Sequence, residues 1–167
     1  MTALNDLAER VDLPAISLWQ PFASLIFTWD RERGEFAKAF ETRGFKLPAR
    51  LIGQRVAIHA TAKFPASRHI SEALHEVCYD HFGCSYNYSL PLGAIVGVVR
   101  FGAPIPTGEE APFQPAEEIA AGDWTPGRWD WLIMDAVALQ RPIPMKGKQG
   151  WWRVPVRDLI AAEEPKT

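Results

Sequence analysis

Ile16-Ser17-Leu18-Trp19-Gln20-Pro21-Phe22-Ala23-Ser24-Leu25-Ile26 sets polar Gln20 and a proline where an apolar strand turns into a helix. Pro21 suits the first helical position, where a missing N–H costs nothing. Phe22, Leu25, Ile26 and Trp29 then recur at the spacing of one buried helical face. The segment therefore predicts a strand over 15–18, a helix over 21–29 and a rigid corner between them. Gln20, on that corner, carries an amide that donates and accepts at once. That suits either of two tasks: capping the helix, or reading the edge of a base or an amide ligand.

Outward from this corner, short strands alternate with a few helices. Phe40 to Phe45 and Arg55 to Ala60 read as strands, the second buried, and Asp30 to Lys38 as an exposed loop or a short helical extension. Ala66 to Phe82 reads as a helix with Ile70, Leu74, Val77 and Cys78 on one face. The strongest strand signal is 92–101, whose Gly93 and Gly97 imply close packing or a bend. They form no phosphate loop, and no cofactor motif appears. Residues 104–127 are rich in proline and acids and predict a long surface excursion with one helical turn near 116–121. Its carboxylates (Glu109, Glu110, Glu117, Glu118 and Asp123) are expected to lie away from any phosphate-facing surface, while Phe113, Ile119 and Trp124 cover apolar barrel surface. Trp129 to Leu139 and Trp151 to Val156 complete the strands.

The 167 residues, 47% of them hydrophobic, bury a core as a single unit. The division expected is a flexible segment 1–13, one domain over 14–157 and a tail over 158–167. A net charge of −2 excludes a general nucleic-acid glue but allows charge to be segregated locally. No apolar run approaches a membrane span, and 1–13 is too acidic for a signal or transit peptide, so a cytoplasmic protein is expected. Cys78 and Cys84 fit reduced thiols there.

His75, Cys78, His81 and Cys84 recur every third residue and invite a zinc reading. At about 100° per residue, however, the third and fourth members of that series point roughly 240° and 180° from the first, so one helix cannot bring all four to an ion. An amphipathic helix with incidental His and Cys is expected, and no metal.

Taken together, 17–23 (Ser-Leu-Trp-Gln-Pro-Phe-Ala), 38–43 (Lys-Ala-Phe-Glu-Thr-Arg), 57–60 (Ala-Ile-His-Ala), the Trp129-Asp130-Trp131 strand and 144–152 resemble, in order and spacing, the ASCH domain family, related to the PUA domains of RNA-modifying proteins. The resemblance covers roughly 14–155. It implies an α+β fold: a small, mostly antiparallel PUA-like β-barrel with flanking helices, and a cleft in which the Gln-Pro corner faces the Lys-x-x-Glu-x-Arg strand. It also implies binding of single-stranded RNA or nucleotide-like ligands, with a few small relatives acting as enzymes on acylated cytidine or on RNA. In the amidohydrolase relatives a threonine stands where Glu41 stands here. The chain also carries extra residues between Ile26 and Glu41, including Trp29, Arg31, Glu32 and Arg33.

The chemistry of the matched residues can be argued without the family. On a strand, Glu41 and Arg43 share a face about 7 Å apart, with Thr42 on the other. The pair is either a surface ion pair or a recognition pair in which Glu41 accepts from an exocyclic amine and Arg43 takes phosphate. His59, in an apolar strand, is either a hydrogen-bonded core residue or a participant in chemistry. Lys146, Lys148 and Arg153 surround Trp151 and Trp152, an arrangement that grips phosphate and stacks a base, although one of the two tryptophans is expected in the core. Trp19 is a stacking candidate on the same terms.

Two functions follow. A binding module would line its cleft with Trp19, Gln20, Lys38, Glu41, Arg43, His59, Lys146 and Lys148. A small hydrolase of modified nucleosides or RNA would use Lys38, Glu41 and His59, with Glu41 as a general base for water rather than a hydroxyl nucleophile. The binding module is the reading adopted, with no cofactor and no membrane partner. Oligomeric state is not legible.

Overall fold

A computed structural model describes residues 4–7, 9–83, 89–108 and 113–163. Its spine is the pair β6 (Ala94–Pro106) and β7 (Trp129–Pro144), long apolar strands that run antiparallel. β4 (Phe40–Arg43) adds beyond β7, and β5 (Arg55–Ala60), β1 (Asp12–Leu18) and β8 (Trp152–Pro155) add beyond β6. The order is β4-β7-β6-β5-β1-β8; β1 and β5 run parallel and the other pairs antiparallel. The α+β, mostly antiparallel expectation holds, but the barrel does not. β4 and β8 remain the two edges of an open six-stranded sheet.

All six residues of β5 are buried because both faces of the sheet are covered. Val56, Ile58 and Ala60 join Ile16, Leu18, Ile26, Phe101 and Trp131 on one face. Ala57 joins Leu13, Ala15, Ile95, Val98 and Trp152 on the other. That second core also takes in Leu4, Leu7 from a 3₁₀ turn at Asn5–Leu7, and Leu159 of α4 (Val156–Glu163), so chain on either side of 14–157 packs against the sheet. A third cluster joins α1 (Phe22–Leu25) to α2 (Glu72–Phe82) through Leu25, Leu74, Val77 and Cys78.

Helix α1 is shorter than the apolar spacing predicts. The Leu25 carbonyl accepts both the Thr28 and the Lys38 N–H, so the returning chain takes a group that a longer helix would have used. Trp29 lies instead in a hairpin of β2 (Trp29–Asp30) and β3 (Glu35–Phe36), edge-on to Phe36. The expected loop is thus a turn, in which the Asp30 carboxylate accepts the N–H groups of Glu32 and Arg33. Helix α2 starts at Glu72, after Ser71 accepts the Leu74 N–H as its cap. It buries Cys78 and exposes His75, while Cys84 lies outside the described residues. Burial pushes the Cys78 thiol up to about 12. Gly97 is needed for space, since a Cβ there would lie 2.3 Å from the Phe27 ring. Among the described residues no helix is long and apolar enough to cross a membrane.

Candidate nucleotide cleft

Where β1 ends, Trp19 turns outward, 45% exposed, and Gln20 turns inward, fully buried. The Gln20 Nε2 donates to the Pro91 carbonyl at 2.8 Å, and its Oε1 accepts the Ser24 N–H at 3.1 Å. Both ends of the amide are occupied, so Gln20 caps α1 and ties it to the chain before β6. It does not line the cleft, and of the two tasks its position allowed it performs the structural one.

The cleft, of about 760 Å³, lies between the end of β1, strand β4 and two helical segments: the start of α2, and α3 (Ala116–Ala120) with the chain that follows it. Lys38, Glu41 and Arg43 meet in it as expected. Alternation along β4 puts Glu41 and Arg43 on one face, and the pair closes to 2.8 Å between Oε1 and Nε. Lys38 enters just before the strand, reaching Glu41 Oε2 at 3.5 Å and donating to the Ala121 carbonyl at 2.5 Å. Arg43 also donates to the Ser17 carbonyl at 3.0 Å, which ties β4 to β1 across the cleft. The Arg43 Nε finds no hydrogen-bond acceptor, so its contact with Glu41 is an ion pair and not a directed bond. Among the described residues Glu41 accepts no directed hydrogen bond. Its carboxylate is held by two cations with its lone pairs still available to an N–H from a ligand.

The acidic excursion is not remote from this site, contrary to the expectation from like-charge repulsion. Glu118, fully buried, accepts the N–H of Ala39 at 2.8 Å and of Phe40 at 3.1 Å, and lies near Lys38 and Arg33. Burial pushes its carboxyl up, against the pull of Lys38, the two amides and Arg33. Asp123 faces the cleft; burial favours its neutral form, but the Thr125 hydroxyl and amide and Arg128 hold it below the usual carboxylate range. The repulsion is absorbed because these carboxylates are matched by cations on the spot. Trp124 is buried edge-on to Phe40, as a cover should be, whereas Ile119 lines the cleft and Phe113 is exposed. Glu109 and Glu110 lie outside the described residues.

His59 is buried behind the cleft and not in it. Its Nε2 lies 2.9 Å from the Met145 carbonyl, which can only accept, so Nε2 carries the proton. In the neutral ring Nδ1 then accepts from the Ser17 hydroxyl at 3.1 Å. Burial lowers the His59 pKa, against the Met145 bond, and keeps the ring neutral. Gly147 presses over this group: a Cβ there would lie 2.4 Å from His59 Cε1. Lys146 and Lys148, flanking Gly147, are exposed and outside the cleft lining, although the Lys148 carbonyl, 3.2 Å from the Ser17 hydroxyl, shares that hydroxyl's one proton with His59 Nδ1. Arg153 pairs with Asp12 at 2.5 Å. Trp152 is core, and Trp151 stacks on Trp131 at 6.0 Å, so neither forms an exposed platform.

Residues that the sequence did not single out complete the lining. Arg68 and His69 lie in a 3₁₀ turn (Ser67–His69) ahead of α2, and the His69 ring lies 5.2 Å from that of Trp19. Arg128 reaches in from the chain before β7, and Thr42, whose hydroxyl accepts the Asp123 N–H, reaches in from β4. Four cations (Lys38, Arg43, Arg68 and Arg128) therefore face two carboxylates (Glu41 and Asp123) in a chain whose net charge is −2. Charge is thus segregated within the fold, with a lining richer in cations than in carboxylates. Arg68 is exposed and makes no ion pair among the described residues.

No family model and no curated protein sequence matches the chain. Among solved structures it is similar to ASCH from Zymomonas mobilis, at 16% identity and a TM-score of 0.50 over 89% of this chain and 93% of that one. Two mutant forms of ZmASCH from the same organism align at TM-scores of 0.44 and 0.43, with 16% and 17% identity, over 78% and 79% of this chain and 73% of each of theirs. The first of these gives the chain the ASCH-domain fold.

Proposed function

We propose that the cleft binds a nucleotide unit, with the base against Trp19 and its exocyclic amine on Glu41, and the phosphate on Arg68. The observation that carries this reading is the Glu41 carboxylate: buried, clamped by Lys38 and Arg43, and free of directed donors among the described residues, in a cleft with an exposed indole. A carboxylate held this way reads an amine and rejects a carbonyl. Arg43, already committed to Glu41 and the Ser17 carbonyl, orients the reader, and the uncommitted guanidinium is that of Arg68. A volume of about 760 Å³ is within the range of small-molecule sites.

Calorimetric titration with cytidine and uridine 5′-monophosphates at low salt tests it. Cytidine is expected to bind about tenfold tighter, a preference that Glu41→Gln removes because an amide offers a donor as readily as an acceptor. Trp19→Ala is expected to weaken both by about 1–3 kcal/mol without changing the salt dependence, and Arg68→Ala to weaken both and flatten it. Absence of binding at low salt, or a preference that survives Glu41→Gln, overturns the proposal.

A further inference from the structure

Resting on that reading, we infer that the bound nucleotide is one residue of a single strand, and that a second depression beside the cleft takes the adjoining nucleotide. This depression, of about 440 Å³, shares Trp19, Thr61, Arg68 and His69 with the cleft and extends it past Lys63 and Phe64. The tilted Trp19 and His69 rings, with centroids 5.2 Å apart, belong to both spaces and form the ridge between them. An aromatic ridge between two adjoining spaces offers a stacking surface to each of two successive bases.

Charge separates the two spaces. The first mixes cations with Glu41 and Asp123, as a base-reading site requires, whereas the second is lined by Lys63 and Arg68 with no carboxylate. Both of these side chains are exposed and make no ion pair among the described residues. Arg68, common to both spaces, sits where the linking phosphate would pass, and Lys63 where the next one would lie. A free nucleotide uses neither Lys63 nor the second space. Thr61 donates its hydroxyl to the Lys63 carbonyl, a bond that survives truncation of the Lys63 side chain, so the loop keeps its shape in the variant.

Titration of 5′-phosphorylated dinucleotides (pCpC and its deoxy counterpart) against cytidine 5′-monophosphate at several salt concentrations tests the inference. The dinucleotides are expected to bind roughly tenfold tighter, with a salt slope steeper by about 0.7 for the added phosphate contact. Lys63→Ala is expected to abolish both increments and leave mononucleotide affinity unchanged. Equal affinity for one and two nucleotides, or a Lys63→Ala loss shared equally by both, overturns the second site while the mononucleotide reading stands. If neither ligand binds, both fail.

Discussion

Replacing Glu118 by alanine tests whether the cleft is held together from beneath. This buried carboxylate is the acceptor for the Ala39 and Phe40 amides, and its truncation leaves both donors unsatisfied, at about 1–3 kcal/mol each. Truncation also removes one of the two carboxylates near buried Lys38, the other being Glu41. Opposing these losses is relief of the carboxylate's own desolvation, the main cause of its upward pKa. The net loss expected is about 3 kcal/mol, the lower bound for breaking a buried pair from one side. For a chain of 167 residues that lowers Tm by roughly 6–12 °C. Glu118→Gln keeps one acceptor oxygen and removes the charge, so its loss is expected at about 1–2 kcal/mol. Urea unfolding followed by tryptophan fluorescence, with the m-value checked for constancy, measures both. A loss under about 0.5 kcal/mol for the alanine variant, or a glutamine variant less stable than the alanine one, refutes the reasoning.

Gly147→Ala places a methyl group against the His59 ring and the Ser17 hydroxyl, and is expected to cost about 1–3 kcal/mol as the 145–150 segment lifts; wild-type hydrogen-exchange protection around Gly147 in the variant would count against this packing. Because burial lowers the His59 pKa below 6.5, the unfolded chain binds the extra proton more readily. The His59 contribution to stability is therefore complete above about pH 6.5 and is lost as pH falls through the folded value. Asp6, Asp30 and Asp123 act in the same direction at more acid pH, and Glu118 acts oppositely above its ordinary value; all four remain in His59→Asn, which isolates the histidine. Unfolding midpoints between pH 7.5 and 5.5 are expected to fall less in His59→Asn than in wild type, and parallel profiles would refute it. Acetylated cytidine is expected to remain intact, since Glu41 supplies no hydroxyl nucleophile; chromatographic detection of turnover that Glu41→Gln abolishes would establish the hydrolase instead.

Local pattern made the strands and the β4 pair legible. Period-two alternation put Glu41 and Arg43 on one face, and the structure joins them at 2.8 Å. The same alternation could not say what lies opposite. Gln20 was visible as a residue held at a corner, but the Pro91 carbonyl that occupies its Nε2 is 71 positions away. His59 was visible in an apolar strand, but its enclosure depends on Gly147, which no periodicity marks. The excursion read as remote because a run of acids implies repulsion, a rule that fails once Glu118 is matched by two amides and two cations. The open sheet was equally hidden, since strand length and spacing do not say whether the first and last strands in the order meet. Arg68, His69 and Arg128 carry no pattern of their own; only the turn before α2 and the approach to β7 bring them to the cleft.

The bond between Glu118 and the amides at the start of β4 also bears on when the cleft comes into being. The β5–β6 and β6–β7 pairs join strands that follow one another in the chain, and these can register without β4. The amides at 39 and 40 lie 79 and 78 residues from their acceptor, a span that contains β4, β5 and β6. Loop-closure entropy places such a contact after the nearer ones. A refolding chain therefore gains the β5–β6–β7 core of its sheet before its cleft, and recovery of ligand binding reports a later step of assembly, lagging behind the first far-ultraviolet signal of the strands.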